Sequence, residues 1–329
     1  IMMSRVRYIS SMVFDDKMVE LVWSNGDVCF CVYDMETDTF EFQDEIEIND
    51  ITYKPIPLTK FVEDKQIFLP SEPLDYENEL QLNKEIYEFL YEYVDYPDEF
   101  RRLDSWYCML TWLYDKFSTV PYRRALSSQW GVGKTRWALT LGSICNKGFI
   151  VGAATTPATV YRMVDVIRGT MIIDENNFNI TTEVGQAILL ILNSGYSRNT
   201  GFVTRCDGSR YEPRGFVTYG PKVIAARHPF PDEATESRTL THYGYETSRE
   251  DIPMILDESF WDESLKLRNR LLMYRFKNFK KDIRFADFGK ININPRIREI
   301  ILPLLSIIQR DNDKSIVMKL SVKMSEKLE

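Results

Sequence analysis

Histidine is almost missing from this 329-residue sequence, with His228 and His242 the only two. A histidine-built zinc site or a Ser-His-Asp triad is therefore poorly supplied. Cysteine is sparse as well: Cys29, Cys31, Cys108, Cys145 and Cys206 make an odd set with no CxxC spacing. Cys29 and Cys31 alternate inside an apolar run, the spacing of one strand face rather than of a metal site. This usage fits a reducing, cytoplasmic compartment. Long apolar runs are lacking too. Residues 187–192 and 300–305 are the longest, and Pro303 interrupts the second. A membrane span needs roughly 20 such residues, so no membrane partner is expected. No signal-peptide pattern opens the sequence, and Ile1 is not an initiator, so the chain reads as a fragment or a processed piece.

What is present is ordinary in amount but uneven in distribution. Hydrophobic residues make up 44%, enough for a substantial core in about two domains. The net charge of −8 hides a split: residues 1–100 hold 7 Lys and Arg against 24 Asp and Glu, and the rest of the chain is basic. The basic rear is the part suited to a polyanion.

Periodicity divides the chain into four parts. Residues 1–72 read as a small antiparallel β-rich module, with Asn25-Gly26 as a tight hairpin turn between Val19–Trp23 and Val28–Tyr33. Prolines 55, 57, 70 and 73 then mark a linker. Residues 73–119 form a helical linker in which Ile86, Phe89, Leu90, Tyr93 and Val94 recur at helical spacing. Trp106, Tyr107 and Trp112 on the next helix read as core packing rather than a base-stacking platform. Residues 120–247 alternate strand and helix, which implies a mostly parallel sheet with helices on both faces. Residues 248–329 read as a helical lid and C-terminal segment.

The chemistry centres on Ser128-Gln-Trp-Gly-Val-Gly-Lys-Thr-Arg136, placed between a short strand and a helix. Consecutive backbone amides at a helix N-terminus enclose phosphate, and glycines permit the angles. Gly131, Val132 and Gly133 supply that backbone, Lys134 reaches the outer phosphates, and Thr135 holds Mg²⁺. Ser128 stands where such loops usually carry glycine, at a cost if φ there is positive. Downstream, Thr170-Met-Ile-Ile-Asp-Glu175 ends an apolar strand in two carboxylates. Asp174 is expected to steer the Mg²⁺ shell, and Glu175 to polarise an attacking water. Together these lead us to expect an α/β P-loop NTPase fold, with ATP and Mg²⁺ as ligands and phosphoanhydride hydrolysis as the reaction.

Further features bear on what hydrolysis drives. Glu236-Ser-Arg238 precedes the last strand, and Arg238 resembles the trans-acting arginine finger of AAA+ ATPases; a structural ion pair would use the same residue type. Arg268, with Arg270 and Arg275 as rivals, is similar to the lid arginine of that family, against the alternative of a solvated basic helix face. The strand Lys222–Ala226 ends in Ala226, Arg227 and His228 rather than the usual polar sensor, and Arg227 is the better chemical fit. Residues 202–218 read as a hairpin carrying Arg205, Arg210, Tyr211 and Arg214, suited to single-strand phosphates and stacking, or else an ordinary surface hairpin.

Trp130-Gly-Val-Gly-Lys-Thr-Arg136, Ala154-Thr-Thr-Pro157, Ile191-Leu-Asn-Ser-Gly-Tyr196 and Glu236-Ser-Arg238 resemble the AAA+ domains of phage- and plasmid-type replication proteins, often fused to primases. The resemblance spans about residues 70–310. It implies a ring-forming homo-oligomer, a hexamer in the family, that translocates or unwinds DNA in the replication of a mobile element. Single-stranded DNA, further copies of the chain and a primase domain or protein are the implied partners, and residues 1–55 take the place of a collar. The alternative is a nucleotide-dependent switch or assembly ATPase without unwinding activity. A small-molecule kinase is disfavoured by Arg238 and the helical C-terminal segment.

Overall fold

The computed structural model describes residues 5–129, 131–152, 155–174, 181–207 and 212–326. Seven short strands come first: β1 (Arg5–Ile9), β2 (Ser11–Phe14), β3 (Lys17–Ser24), β4 (Asp27–Asp34), β5 (Thr39–Gln43), β6 (Ile46–Ile48) and β7 (Ile51–Pro55). Strands β2-β3-β4-β5 form an antiparallel meander. Its central turn is the expected one, with Asn25 at φ +53° and Gly26 at φ +79°, the left-handed pair a two-residue hairpin requires. A purely antiparallel module is not what forms, however. In the second sheet, β1 runs parallel to β7, from Arg5 opposite Ile51 to Ile9 opposite Pro55. Alternation along a strand fixes its faces but not its distant partner, and a parallel pair has no turn to announce it.

Both faces of β3 and β4 are buried. Met18, Val22, Cys29, Cys31 and Tyr33 join one hydrophobic core, and Val19, Leu21, Val28, Phe30 and Val32 join another. Cys29 and Cys31 do share a face, as their spacing suggested.

The chain continues through α1 (Thr59–Glu63), β8 (Ile67–Phe68), α2 (Glu79–Tyr93) and α3 (Asp98–Thr111). Asn78 caps α2, its side chain accepting from the Gln81 amide at 2.9 Å, and Pro97 starts α3. Trp106, Tyr107 and Trp112 are fully buried core residues. Alternation then sets in: β9 (Tyr122–Leu126), α4 (Lys134–Ile144), β10 (Gly148–Val151), α5 (Pro157–Ile167), β11 (Met171–Asp174), α6 (Glu183–Ser194), the hairpin β12 (Phe202–Asp207) and β13 (Glu212–Val217), β14 (Lys222–Ala226), α7 (Glu233–Glu236) and β15 (Thr239–Tyr243). Helices α8 (Glu258–Phe279), α9 (Pro295–Ile307) and α10 (Asp311–Glu326) close the chain.

The central sheet has six strands in the order β15-β9-β14-β11-β10-β8. All neighbours are parallel except β8, which pairs antiparallel with β10 at the edge. This edge strand falls in the stretch the prolines marked as linker. Successive residues alternate between two cores: Val223 and Ala225 face α2, α3, α4, α8 and α9, while Ile224 and Ala226 face α5 and α6. The protein is therefore mixed α/β, with helices on both faces of a largely parallel sheet and a β-rich module in front. Among the described residues, no helix is long and apolar enough to cross a membrane.

Buried charge ties these parts together. Glu20 on β3 accepts from Lys147 Nζ at 2.8 Å and from Arg275 Nε at 2.7 Å, and Arg275 also donates to Asp115 at 2.6 Å. On β9, Arg123 is fully buried and pairs with Asp104 of α3, which also accepts from Trp137 Nε1 of α4 at 2.9 Å.

Lys222 at the start of β14 is buried and donates to the carbonyls of Thr218 and Gly220, each at 2.7 Å. Burial pushes its ammonium down to about 7 from the ordinary 10.5. Between those values the unfolded chain holds a proton the folded chain lacks, so this group favours folding increasingly as pH rises through that window. Urea denaturation between pH 7 and 8.5 should show stability rising with pH, and Lys222→Met should flatten the slope by up to about 1.4 kcal/mol per pH unit. Equal slopes in both proteins would contradict this account.

Candidate functional site

The glycine loop leaves the C-terminal end of β9 and enters α4. Gly131 and Gly133 take φ +74° and +73°, and a Cβ on either would meet nothing within 4 Å. The glycines are thus required by backbone angle and not by crowding. Ser128 is an exposed bend residue that is not among those with positive φ, so serine there carries no left-handed strain. Gly133 caps α4, and Lys134 opens it. The Lys134 ammonium folds back across the loop and donates to the Gln129 carbonyl at 2.9 Å.

The loop lines a cavity of about 310 Å³ with Gln129, Gly131, Val132, Gly133, Lys134, Thr135, Arg136 and Arg227. Arg227 arrives there because β14 lies beside β9 and ends level with it, Ala226 opposite Leu126. Asp174 ends β11, in register with Ala225 of β14, and so reaches the same edge of the sheet. Its Oδ2 accepts from Thr135 Oγ1 at 2.6 Å. A threonine hydroxyl and a buried carboxylate are hard oxygen donors, the kind magnesium takes, so this pair fits that ion. The remaining open space beside the loop amides is where an anion at a helix N-terminus belongs.

Arg136 lines the cavity, but its guanidinium is turned elsewhere. It donates to the carbonyls of Tyr93 (2.8 Å) and Met254 (3.2 Å) and to that of Pro253, and burial lowers its pKa. Arg136 is therefore a clasp between α4, the end of α2 and the segment after β15. Sequence reasoning missed Gly244, whose Cβ would lie 2.9 Å from Val132 Cγ2 and so press on the loop. Its only signal was a lone glycine just past a strand end.

Several expected residues are not brought to the loop. Arg268 is buried at the far end of α4, donating to the carbonyls of Ser143 (2.7 Å) and Leu69 (3.0 Å), and burial pushes it down to about 9. Ser143 is nine residues beyond Lys134, roughly 14 Å at the helical rise. Arg270 pairs with Glu85, and Arg275 belongs to the Glu20 cluster. None of the three is a solvated face residue either: each has found a specific partner.

Arg238 lies just before β15, beside the N-terminal end of β9, at the opposite end of the strands from the loop. It is 7% exposed, donates to the Asn193 carbonyl at 2.8 Å, and lies 3.9 Å over the Tyr196 ring. The Asn193-Ser-Gly-Tyr196 run is thus its seat: Asn193 accepts, Tyr196 stacks, and a Cβ on Gly195 would strike the Lys222 ammonium at 2.5 Å. From there Arg238 bonds to none of the described residues of its own loop.

In the β12–β13 hairpin, Arg205 and Arg214 are exposed and directly opposed across the strands. Arg205 donates to Tyr161 Oη at 3.1 Å, and Arg214 lies 3.6 Å from Asp165. Like charges in register disfavour the pair, and Asp165 offsets part of this on the Arg214 side. Trp130, Ala154, Glu175, Arg210 and Tyr211 lie outside the described residues.

No family model matches the sequence, and no curated protein matches it. Two solved structures of the NrS-1 C-terminal region, both apo A forms, align over 92% of this chain and 72% of theirs. Their TM-scores are 0.38 and 0.33, at 10% and 9% identity.

Proposed function

We propose that the protein is a Mg²⁺-dependent ATPase of the P-loop class. The observation that carries this reading is the joint placement of three things at one end of the strands of a parallel sheet. These are a loop with two left-handed glycines feeding α4, a lysine spanning that loop, and a threonine bonded to a carboxylate two strands away, all at the C-terminal ends of the interior strands β9 and β11. The strand order supports it: the neighbours β9 and β14 connect in opposite directions, β9 on to β10 three strands away and β14 back across β9 to β15, and ligands gather where connections diverge.

In this reading the loop amides and Lys134 bind and orient the triphosphate. Thr135 and Asp174 hold magnesium, which when bound neutralises phosphate charge. Arg227 reaches the same cavity and adds positive charge where negative charge develops. Glu175 is proposed to orient the attacking water, and Arg238 to act on the loop of a neighbouring copy. Isothermal calorimetry tests the core of this: Mg·ATP should bind with one site per chain, and the absence of heat would refute the proposal.

For what hydrolysis drives, the opposed arginines of the hairpin favour single-stranded DNA translocation by a ring of copies over a DNA-independent switch. ATP turnover should then rise with single-stranded DNA at low salt. Arg205→Ala with Arg214→Ala should reduce the slope of log affinity against log salt by roughly 0.7 per arginine. An unchanged slope would leave the switch as the better reading.

A further inference from the structure

We infer that the segment between β15 and α8 carries an apolar tip that docks into a socket on a second copy of the chain. The inference extends the proposed self-association and is independent of the nucleotide chemistry.

Residues 244–257 contain no regular element, yet they are fastened along their length. Tyr245 Oη and Thr247 Oγ1 donate to Asp95 at 3.2 and 2.8 Å, Arg249 donates to the Tyr91 carbonyl at 2.7 Å, and Arg136 holds the carbonyls of Pro253 and Met254. At the end of this pinned strap Met254 is 95% exposed and Ile255 73% exposed. Two adjacent apolar side chains displayed this fully, on a backbone already ordered, dock at the cost of their own rotamers and without a further cost of ordering the backbone. A disordered tip would not have that advantage.

The receiving surface lies along β15, the edge strand of the central sheet. A cavity of about 430 Å³ opens there, its apolar lining drawn from Phe100, Leu240, Ile297, Leu320 and Met324. Glu233 and Glu236 also line it, Glu236 being paired with Arg124. A Met-Ile pair is of a size to enter such a space.

Charge selects a copy of this chain as the occupant. The tip is flanked by Glu250 and Glu258, both exposed, with Asp257 capping α8. Beside Leu320 and Met324, α10 presents Lys319 and Lys323, both exposed. An acid-flanked apolar tip thus meets an apolar socket whose α10 rim carries lysines, the other rim carrying Glu233 and the Arg124-paired Glu236. Tip and socket are different patches, so the contact is heterologous and propagates around a ring or along a helix. It also sets the loop side of one copy, where Arg136 anchors the tip, against the Arg238 side of the next.

The test uses the full chain in a Cys206→Ser background, because Cys206 is the exposed cysteine among the described residues. Met254→Cys and Leu320→Cys variants, mixed and oxidised, should give a cross-linked dimer that neither gives alone. Met254→Asp with Ile255→Asp should weaken association in sedimentation velocity by about tenfold or more, with Mg·ATP binding by calorimetry unchanged. Association that persists without the mixed cross-link would place the interface elsewhere and overturn the inference. So would a wild-type chain that stays monomeric with and without nucleotide, or a cross-link formed within one chain by the double-cysteine variant. Failure of Mg·ATP binding in the wild type would instead strike the function proposed above and leave the cross-link intact.

Discussion

Lys134→Ala should lower ATP hydrolysis by about 10²–10³-fold, with the fold retained. The Lys134 side chain crosses the loop to the Gln129 carbonyl and points into the same open space as the amides behind Gly131 and Gly133. An ammonium there is preorganised, so its stabilisation of phosphate charge costs no reorganisation when the bond breaks. Removing it subtracts that stabilisation while leaving α4 with alanine, the best helix former, at its first position. The decisive measurement is steady-state turnover alongside circular dichroism. A variant that turns over at the wild-type rate with an intact spectrum would mean the loop is not the hydrolytic site. A variant that loses its spectrum would shift the explanation to folding, so Lys134→Met serves as a second, bulkier control.

The largest loss of stability should follow Asp104→Ala, about 3–5 kcal/mol. Asp104 and Arg123 are each 0% exposed. Deleting the carboxylate leaves a buried guanidinium with no anion beside it, only the Leu240 carbonyl, the His242 ring and the faces of Phe100 and Trp137, each 5.3 Å away, among its described neighbours. His242 offers no countercharge: burial first, and the Arg123 charge second, hold its pKa well below the ordinary value. Trp137 Nε1 loses its acceptor at the same time. Because Arg123 lies on β9 and Trp137 on α4, the damage falls on both elements that flank the glycine loop, so Mg·ATP binding should weaken as well. Urea denaturation followed by tryptophan fluorescence reads the effect. A loss below about 1 kcal/mol would show that water reaches Arg123 and would end the claim of a dry ion pair.

Much of the scaffold was legible because local chemistry specified it. Asn25-Gly26 set a hairpin, Thr156-Pro157 and Thr182 opened helices, and Lys222–Ala226 formed a strand with the bounds its apolar run suggested. The loop residues and Asp174 were legible for the same reason: their order along the chain matches their order around the site. What was hidden depended on partners far apart in sequence. A parallel β1–β7 pair has no turn between its strands, and β8 has only two residues. The basic residues misled most. Arg268 and Arg275 read as a nucleotide-facing cation or a solvated helix face, yet each is at most 6% exposed. Their carboxylate and carbonyl acceptors come from elsewhere in the fold, such as Glu20 for Arg275, and composition carries no trace of that pairing.

The ion cluster around Glu20 makes the front sheet and the rear helices electrically one object. Strand β3 provides the anion that Lys147, just past α4, and Arg275, near the C-terminal end of α8, share. Cutting the chain at its prolines, where composition changes so visibly, would leave Lys147 in an oil-like seam stripped of its counterion. The acidic first third is thus an inheritance the remainder cannot shed, and any displacement begun at the glycine loop must carry that third along as ballast.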